Sequence, residues 1–240
     1  MSDYILHADG VAMHFGGVKA LDGVDFRLRR GELRCLIGPN GAGKTTFFRC
    51  LTGTQKPTFG KITFRNENVA LHQRHEIARL GMGIKTQIPS LFDGLSVYEN
   101  LWLSLRDTHD QTLRKRRIDE VLNRLGIADL HPCILGQMAH GQRQLVELAM
   151  VVASNPELVL LDEPAAGMTS AEVEKLADII RELNTTHTVV VVEHDMAFIR
   201  AIADQVTVFH QGRILTEGHV SDVLSDSRVR DVYLGKKHDA

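Results

Sequence analysis

The chain has 240 residues, 43% hydrophobic and 24% charged, enough for one α/β globule with a small inserted lobe. Its 28 Lys+Arg against 30 Asp+Glu leave a formal net charge of -2, which excludes a surface-wide field for nucleic acid. No stretch approaches the ~18 consecutive apolar residues that span a bilayer, and residues 1–10, with Asp3, His7 and Asp9, do not read as a secretory signal, so a cytoplasmic location is expected. The basic run Arg114, Lys115, Arg116 and Arg117 reads as a solvated helix face. Cys35, Cys50 and Cys133 lack metal-ligand spacing and read as buried thiols in a reducing compartment. The 12 histidines are scattered and give no metal site by themselves.

In chain order, residues 17–26 alternate loosely and residues 33–37 form a compact apolar run, the mark of a buried strand. Residues 38–43 are Gly-rich, residues 45–51 predict a helix ending near Gly53, residues 61–64 a strand and residues 72–80 a short helix. Over 96–152 the period becomes helical: Leu101, Leu103, Leu105, Leu113, Ile118, Val121, Leu122 and Leu125 recur among charges. A loop with Pro132 follows Gly126, and a second helix starts near Gly141. Strand and helix then alternate: strand 158–161, helix 170–183 with Ser170 as N-cap, strand 188–192, helix 195–203 and strand 206–209. Together these predict a parallel α/β core with an all-helical insertion over roughly 96–154.

Gly38-Pro39-Asn40-Gly41-Ala42-Gly43-Lys44-Thr45 fits the spacing G-x-x-x-x-G-K-[ST] between an apolar strand and a helix. Glycines let backbone N–H groups turn inward around phosphates, and the helix start adds its positive end. Lys44 offers a full charge to the β and γ phosphates, Thr45 a hydroxyl to Mg²⁺, and Thr46 a hydroxyl to an α-phosphate oxygen. The apolar run Leu158-Val159-Leu160-Leu161 ends in Asp162 and Glu163, and open α/β sheets place ligands at such carboxyl ends. Asp162 is expected to face Mg²⁺. Glu163 is expected to diverge from it toward the attacking water, because neighbouring side chains of extended chain point apart. Alone, an Asp-Glu pair after a strand is a weak signal; coupled with the phosphate loop it becomes strong.

With these motifs in order, nearly the whole chain resembles the nucleotide-binding subunits of ABC transporters. Met138-Ala139-His140-Gly141-Gln142 looks like the signature loop, which in that family grips the γ-phosphate bound to the opposite subunit. The family's usual Ser is here Ala139, a common Gly is His140, and a common Leu is Met138. The missing hydroxyl removes a hydrogen bond of ~1.5 to 3 kcal/mol but leaves backbone donors and helix dipole in place. Gln87, after the strand over 82–86, resembles the Q-loop glutamine that contacts Mg²⁺ and water. It leads into Leu91, Phe92, Leu95, Tyr98 and Leu101, part of a segment, 88–101, that the resemblance makes a groove for a membrane-subunit helix. His194 resembles the switch histidine, residues 165–169 the D-loop with Thr169 where Asp is common, and Phe15 the aromatic stacked on adenine, with a core Phe as its competitor.

The resemblance implies an α/β P-loop NTPase core, a mostly parallel sheet flanked by helices, with an N-terminal antiparallel β subdomain and an inserted helical subdomain. About 1–95 and 155–240 would be the catalytic core and about 96–154 the helical part. It also implies an ATP hydrolase with Mg²⁺, completed by a second ATPase subunit, membrane permease subunits and, indirectly, a periplasmic solute-binding protein, on the inner face of the cell membrane. Phe15-Gly16-Gly17-Val18-Lys19-Ala20-Leu21, residues 162–169, residues 190–196 and Val232-Tyr233-Leu234-Gly235 are similar to the branch serving branched-chain amino acids, amides and urea. The short tail and Gly167-Met168-Thr169 are most similar to the urea subunit. A soluble ABC-type ATPase is the alternative from another class, though double cassettes or long coiled-coil insertions do not fit in 240 residues. A P-loop kinase leaves residues 138–142 and His194 unexplained.

Overall fold

The computed structural model describes residues 3–87 and 91–234; Ile88, Pro89 and Ser90 of the predicted groove, and Gly235 of the tail motif, lie outside the described residues. The chain runs β1 (Tyr4–Phe15), β2 (Val18–Arg29), β3 (Leu33–Ile37), α1 (Lys44–Leu51), β4 (Phe59–Phe64), β5 (Glu67–Asn68), α2 (Arg74–Arg79) and β6 (Met82–Lys85). Three helices follow: α3 (Val97–Ser104), α4 (Gln111–Arg124) and α5 (His140–Val152). The rest is β7 (Leu158–Asp162), α6 (Ser170–Asn184), β8 (Thr188–Val192), α7 (Met196–Ile202), β9 (Gln205–His210), β10 (Arg213–His219), α8 (Val220–Ser225) and α9 (Ser227–Leu234).

Two sheets result. One is antiparallel, in the order β2-β1-β4-β5; the other has the order β10-β9-β3-β8-β7-β6 and is parallel except where β10 joins β9. Every residue of β3, β7 and β8 is buried, as expected of parallel strands covered on both faces. The consequence for function is geometric: residues 38–43, Glu163 and the 193–194 pair all leave the same carboxyl edge of neighbouring strands.

Phe47 on α1 packs between the sheets. Its ring lies 5.5 Å from Phe26 of β2 and 5.2 Å from Phe209 of β9, so α1 and the loop before it are keyed into one aromatic core. The apolar faces of α3, α4 and α5 join a second core on the other side of the large sheet. There a buried pair, Lys85 Nζ to Glu147 Oε2 at 3.2 Å, ties β6 to α5. Arg114 does not lie in a merely solvated face: its guanidinium stacks 4.5 Å over the Trp102 ring.

Three differences from the sequence expectation have physical causes. Residues 4–15, unassigned by periodicity, form β1, whose register shifts at four points break the period of two. Strand β10 is an edge strand with no fully buried residue, and it carries no apolar run. The N-cap of α6 is Thr169, not Ser170: its hydroxyl accepts from Glu172 N while Glu172 returns a bond to Thr169 N, a reciprocal box.

Leu160 on β7 is fully buried. Leu160→Ala is expected to lower unfolding free energy by about 2–5 kcal/mol, read from the urea midpoint at unchanged slope.

Candidate active site

Glycine at position 38 is dictated by space. Its φ is 146°, and a Cβ there would collide with the carbonyl oxygen of Phe209 on β9. Gly43 has φ 106°, and a Cβ would stand 2.8 Å from the Ala20 carbonyl oxygen. Both positions therefore hold the loop tight against β2 and β9. Helix α1 starts at Lys44 with no side-chain cap and no acid in its first turn, so no side chain claims the N–H groups that face the helix start.

Lys44 is 7% exposed, and its Nζ donates to the carbonyls of Gly38 at 2.5 Å and Pro39 at 3.1 Å. Burial pushes its pKa below the ordinary lysine value, while the charges of Glu163, Asp162 and Glu193 pull it back up. Thr45 and Thr46 are half-buried beside it on α1.

Asp162 closes β7, 5% exposed. Its Oδ1 is buried without a hydrogen-bond partner, and its pKa is pushed up to about 6, first by burial and then by the charge of Glu163. A buried, partnerless carboxylate oxygen close to a second carboxylate is the donor set of a hard divalent cation, so Mg²⁺ fits here.

Glu163 does not continue the strand. Its φ is 46°, in the left-handed region, with its N–H bonded to Val192 O at 2.9 Å. Its divergence from Asp162 thus comes from a left-handed turn and not from strand alternation, a conformation that costs about 1 kcal/mol or more for a side chain with Cβ. His194, following β8, places Nδ1 3.5 Å from Glu163 Oε1. A carboxylate held beside an imidazole at the rim of a phosphate loop can take a proton from water.

Glu193 was not singled out by the sequence. It is 2% exposed and accepts from two backbone N–H groups, Ala165 at 3.2 Å through Oε1 and His194 at 3.0 Å through Oε2. One buried carboxylate thereby fixes the loop after Glu163 and the loop carrying His194. The only signal available was an acid ending a run of four valines, Val189 to Val192.

Helix α5 opens at His140, with Ala139 as an N-cap that has no side-chain bond and with Gln142 Oε1 accepting from Ala139 N at 3.2 Å. Met138 packs on the helical core. Gly141 lies against the Glu172 carboxylate, which a Cβ there would displace. Gln87 is exposed, two residues beyond Lys85, which pairs with Leu161 of β7; this puts it at the same sheet edge as Asp162. Phe15 ends β1 at 47% exposure, so it is not a core residue. Leu95, Tyr98, Trp102 and Leu103 line a shallow apolar groove of about 330 Å³.

Removing the Glu193 carboxylate strands two N–H donors. Glu193→Ala is expected to reduce ATP turnover about tenfold or more at little-changed ATP affinity, measured by steady-state hydrolysis beside equilibrium binding.

Comparison with known proteins sets this geometry in context. The ABC transporter family model matches residues 21–166. LivG of Salmonella typhimurium, a high-affinity branched-chain amino acid transport ATP-binding protein, is 34% identical over 98% of this chain and 100% of its own. BraF of Pseudomonas aeruginosa, of the same description, is 33% identical over 98% and 100%. Among solved structures, the ADP conformation of MJ1267, an ATP-binding cassette of an ABC transporter, superposes with a TM-score of 0.88 at 27% identity over 98% of this chain and 100% of that one. The dimeric structure of MJ0796, a bacterial ABC transporter cassette, gives 0.80 at 25% identity over 89% and 98%. The expected α/β cassette fold is thus the observed one. A likeness that runs from end to end, in sequence and in fold, makes this chain a member of the ABC transporter family, an ATP-hydrolysing cassette of the branch that includes LivG and BraF.

Proposed function

We propose that this chain is the ATPase subunit of an importer for branched-chain amino acids, amides or urea, and that it works as one half of a cassette dimer on the inner face of the cell membrane. The observation that carries this reading is the end-to-end match to LivG and BraF, whose names describe branched-chain amino acid transport. Urea as cargo rests on the resemblance of Gly167-Met168-Thr169. The groove of Leu95, Tyr98, Trp102 and Leu103 would receive a helix of the membrane permease, and a periplasmic solute-binding protein would deliver the solute. The match over 98% of this chain and 100% of LivG favours this reading over the alternative of a soluble ABC-type ATPase.

Within the site, Lys44 and the amides of residues 38–46 take the phosphates, and Phe15 stacks on adenine. Thr45, Gln87 and Asp162 would hold Mg²⁺, which neutralises charge on the β and γ phosphates when bound. Glu163 accepts the proton of the attacking water, with His194 keeping it in register. The main-chain donors of residues 138–142 would reach the γ-phosphate held by a second cassette; that such cassettes pair is supported by the dimeric MJ0796 structure.

Glu163→Gln is expected to slow hydrolysis by about 10² to 10⁴ and to accumulate an ATP-bound dimer on size exclusion, whereas Lys44→Ala should weaken ATP binding about 10- to 100-fold. Wild-type hydrolysis by Glu163→Gln would defeat the assignment of the base. For cargo, a strain lacking the chain should lose uptake of labelled leucine or of labelled urea and regain it with the wild-type chain; unchanged uptake of both rejects this solute class.

A further inference from the structure

His140 stands where a small residue would suffice to start a helix, and its ring is engaged. Nε2 lies 3.0 Å from the Ala166 carbonyl oxygen. That oxygen can only accept, so Nε2 carries the hydrogen. The Gln144 side-chain nitrogen, largely buried one turn along α5, stands 3.2 Å from the same ring nitrogen; with both carrying hydrogen it is a packing neighbour and not a second hydrogen bond. Gly167 makes the approach possible: it has φ 74°, and a Cβ there would come to 3.0 Å from the ring.

A second contact runs alongside. The Glu172 carboxylate packs against Gly141 and is held by Thr169 N and Oγ1, both at 2.8 Å. The first turn of α5 is therefore fastened to residues 165–172 at two points. The other end of that segment is fastened to the hydrolytic groups: Ala166 N donates to Glu163 O at 3.2 Å, and Ala165 N to Glu193. Ala166 thus receives His140 through its carbonyl and holds Glu163 through its N–H.

We infer that His140 is a positioning residue for hydrolysis: its Nε2–H bond to Ala166 couples the start of α5 to Glu163 of the same chain. A phosphate drawn to the α5 N-terminus from a partner cassette then shifts or locks the peptide that carries the base. This rests on the reading of residues 138–142 given above. The path is contiguous, one side-chain bond and one main-chain bond long, and needs no displacement of the sheet.

Glutamine reaches with its amide nitrogen about as far as histidine does with Nε2, and leucine fills similar space without a donor. In the purified full chain, His140→Leu is expected to lower kcat for ATP about fivefold at unchanged KM, the size of one neutral hydrogen bond, while His140→Gln keeps at least about half of wild-type kcat. His140→Gly, which adds no apolar surface, should match His140→Leu and serves if the latter folds poorly. Equal turnover of His140→Gln and His140→Leu, or a loss confined to KM, overturns the coupling. The same variants are placed in a Glu163→Gln background and scored for ATP-stabilised dimer. Dimer in all of them, with turnover as expected, supports the inference. Absence of dimer even with His140 intact rejects the reading of residues 138–142 and the coupling with it. Dimer formation together with equal turnover rejects the coupling alone.

Discussion

One ammonium group among three carboxylates sets the terms for the rest of the molecule. Lys44 feels the charges of Glu163, Asp162 and Glu193, and they work against the burial that would discharge it. The three acids are not equivalent. Glu193 is satisfied by two backbone N–H groups, and Glu163 leans toward His194, but Asp162 keeps an oxygen with no partner and a pKa pushed up to about 6. Arg49 and Lys85 pull the Asp162 pKa down, but burial and the charge of Glu163 outweigh them. On the function proposed above, a nucleotide with a divalent cation would relieve both sides at once: Asp162 would gain a partner, and Lys44 a better acceptor than the carbonyls of Gly38 and Pro39.

The fold is what makes that arrangement stable. Parallel strands bring the ends of β3, β7 and β8 to one edge, so residues distant in sequence share a few ångströms. Phe47 locks α1 between the sheets, and Gly38 and Gly43 allow the loop to lie against β9 and β2. Any side chain at those two glycines would push the loop away from the sheet and Lys44 away from the acids. The left-handed turn at Glu163 is tolerated because its N–H pairs across to Val192, so the sheet edge itself pins Glu163.

The phosphate loop, the acids after β7 and the buried strands were legible because each is local: glycine spacing, an apolar run, a charge at its end. What escaped the sequence depends on distant partners. β1 is concealed by its bulges, and β10 by its place at an edge. Glu193 looks like a strand-terminal acid, and its importance appears only when Ala165, 28 residues earlier, brings an N–H to it. The strand alternation invoked for Glu163 does not apply, since β7 stops at Asp162 and Glu163 turns left-handed. Thr169 and Ser170 are equivalent as hydroxyl caps from sequence, and the choice fell to the residue with Glu three positions on, Glu172.

The departures at the start of α5 acquire meaning from the same electrostatics. Ala139 contributes no hydroxyl and no acid sits in the first turn; of the side chains there, Gln142 takes the Ala139 N–H at 3.2 Å. The nearest acid, Glu172, belongs to another helix and is kept ionised by Thr169 N–H and hydroxyl, with His140 reinforcing the same direction. Its charge is drawn toward the cap of α6 and away from the α5 donors. On the function proposed above, such an N-terminus is where a phosphate held by a second cassette would meet the α5 donors. The lost hydroxyl at position 139 therefore removes one bond and not the site, and the ring at position 140 replaces that local contact with one that reaches the segment next to the base.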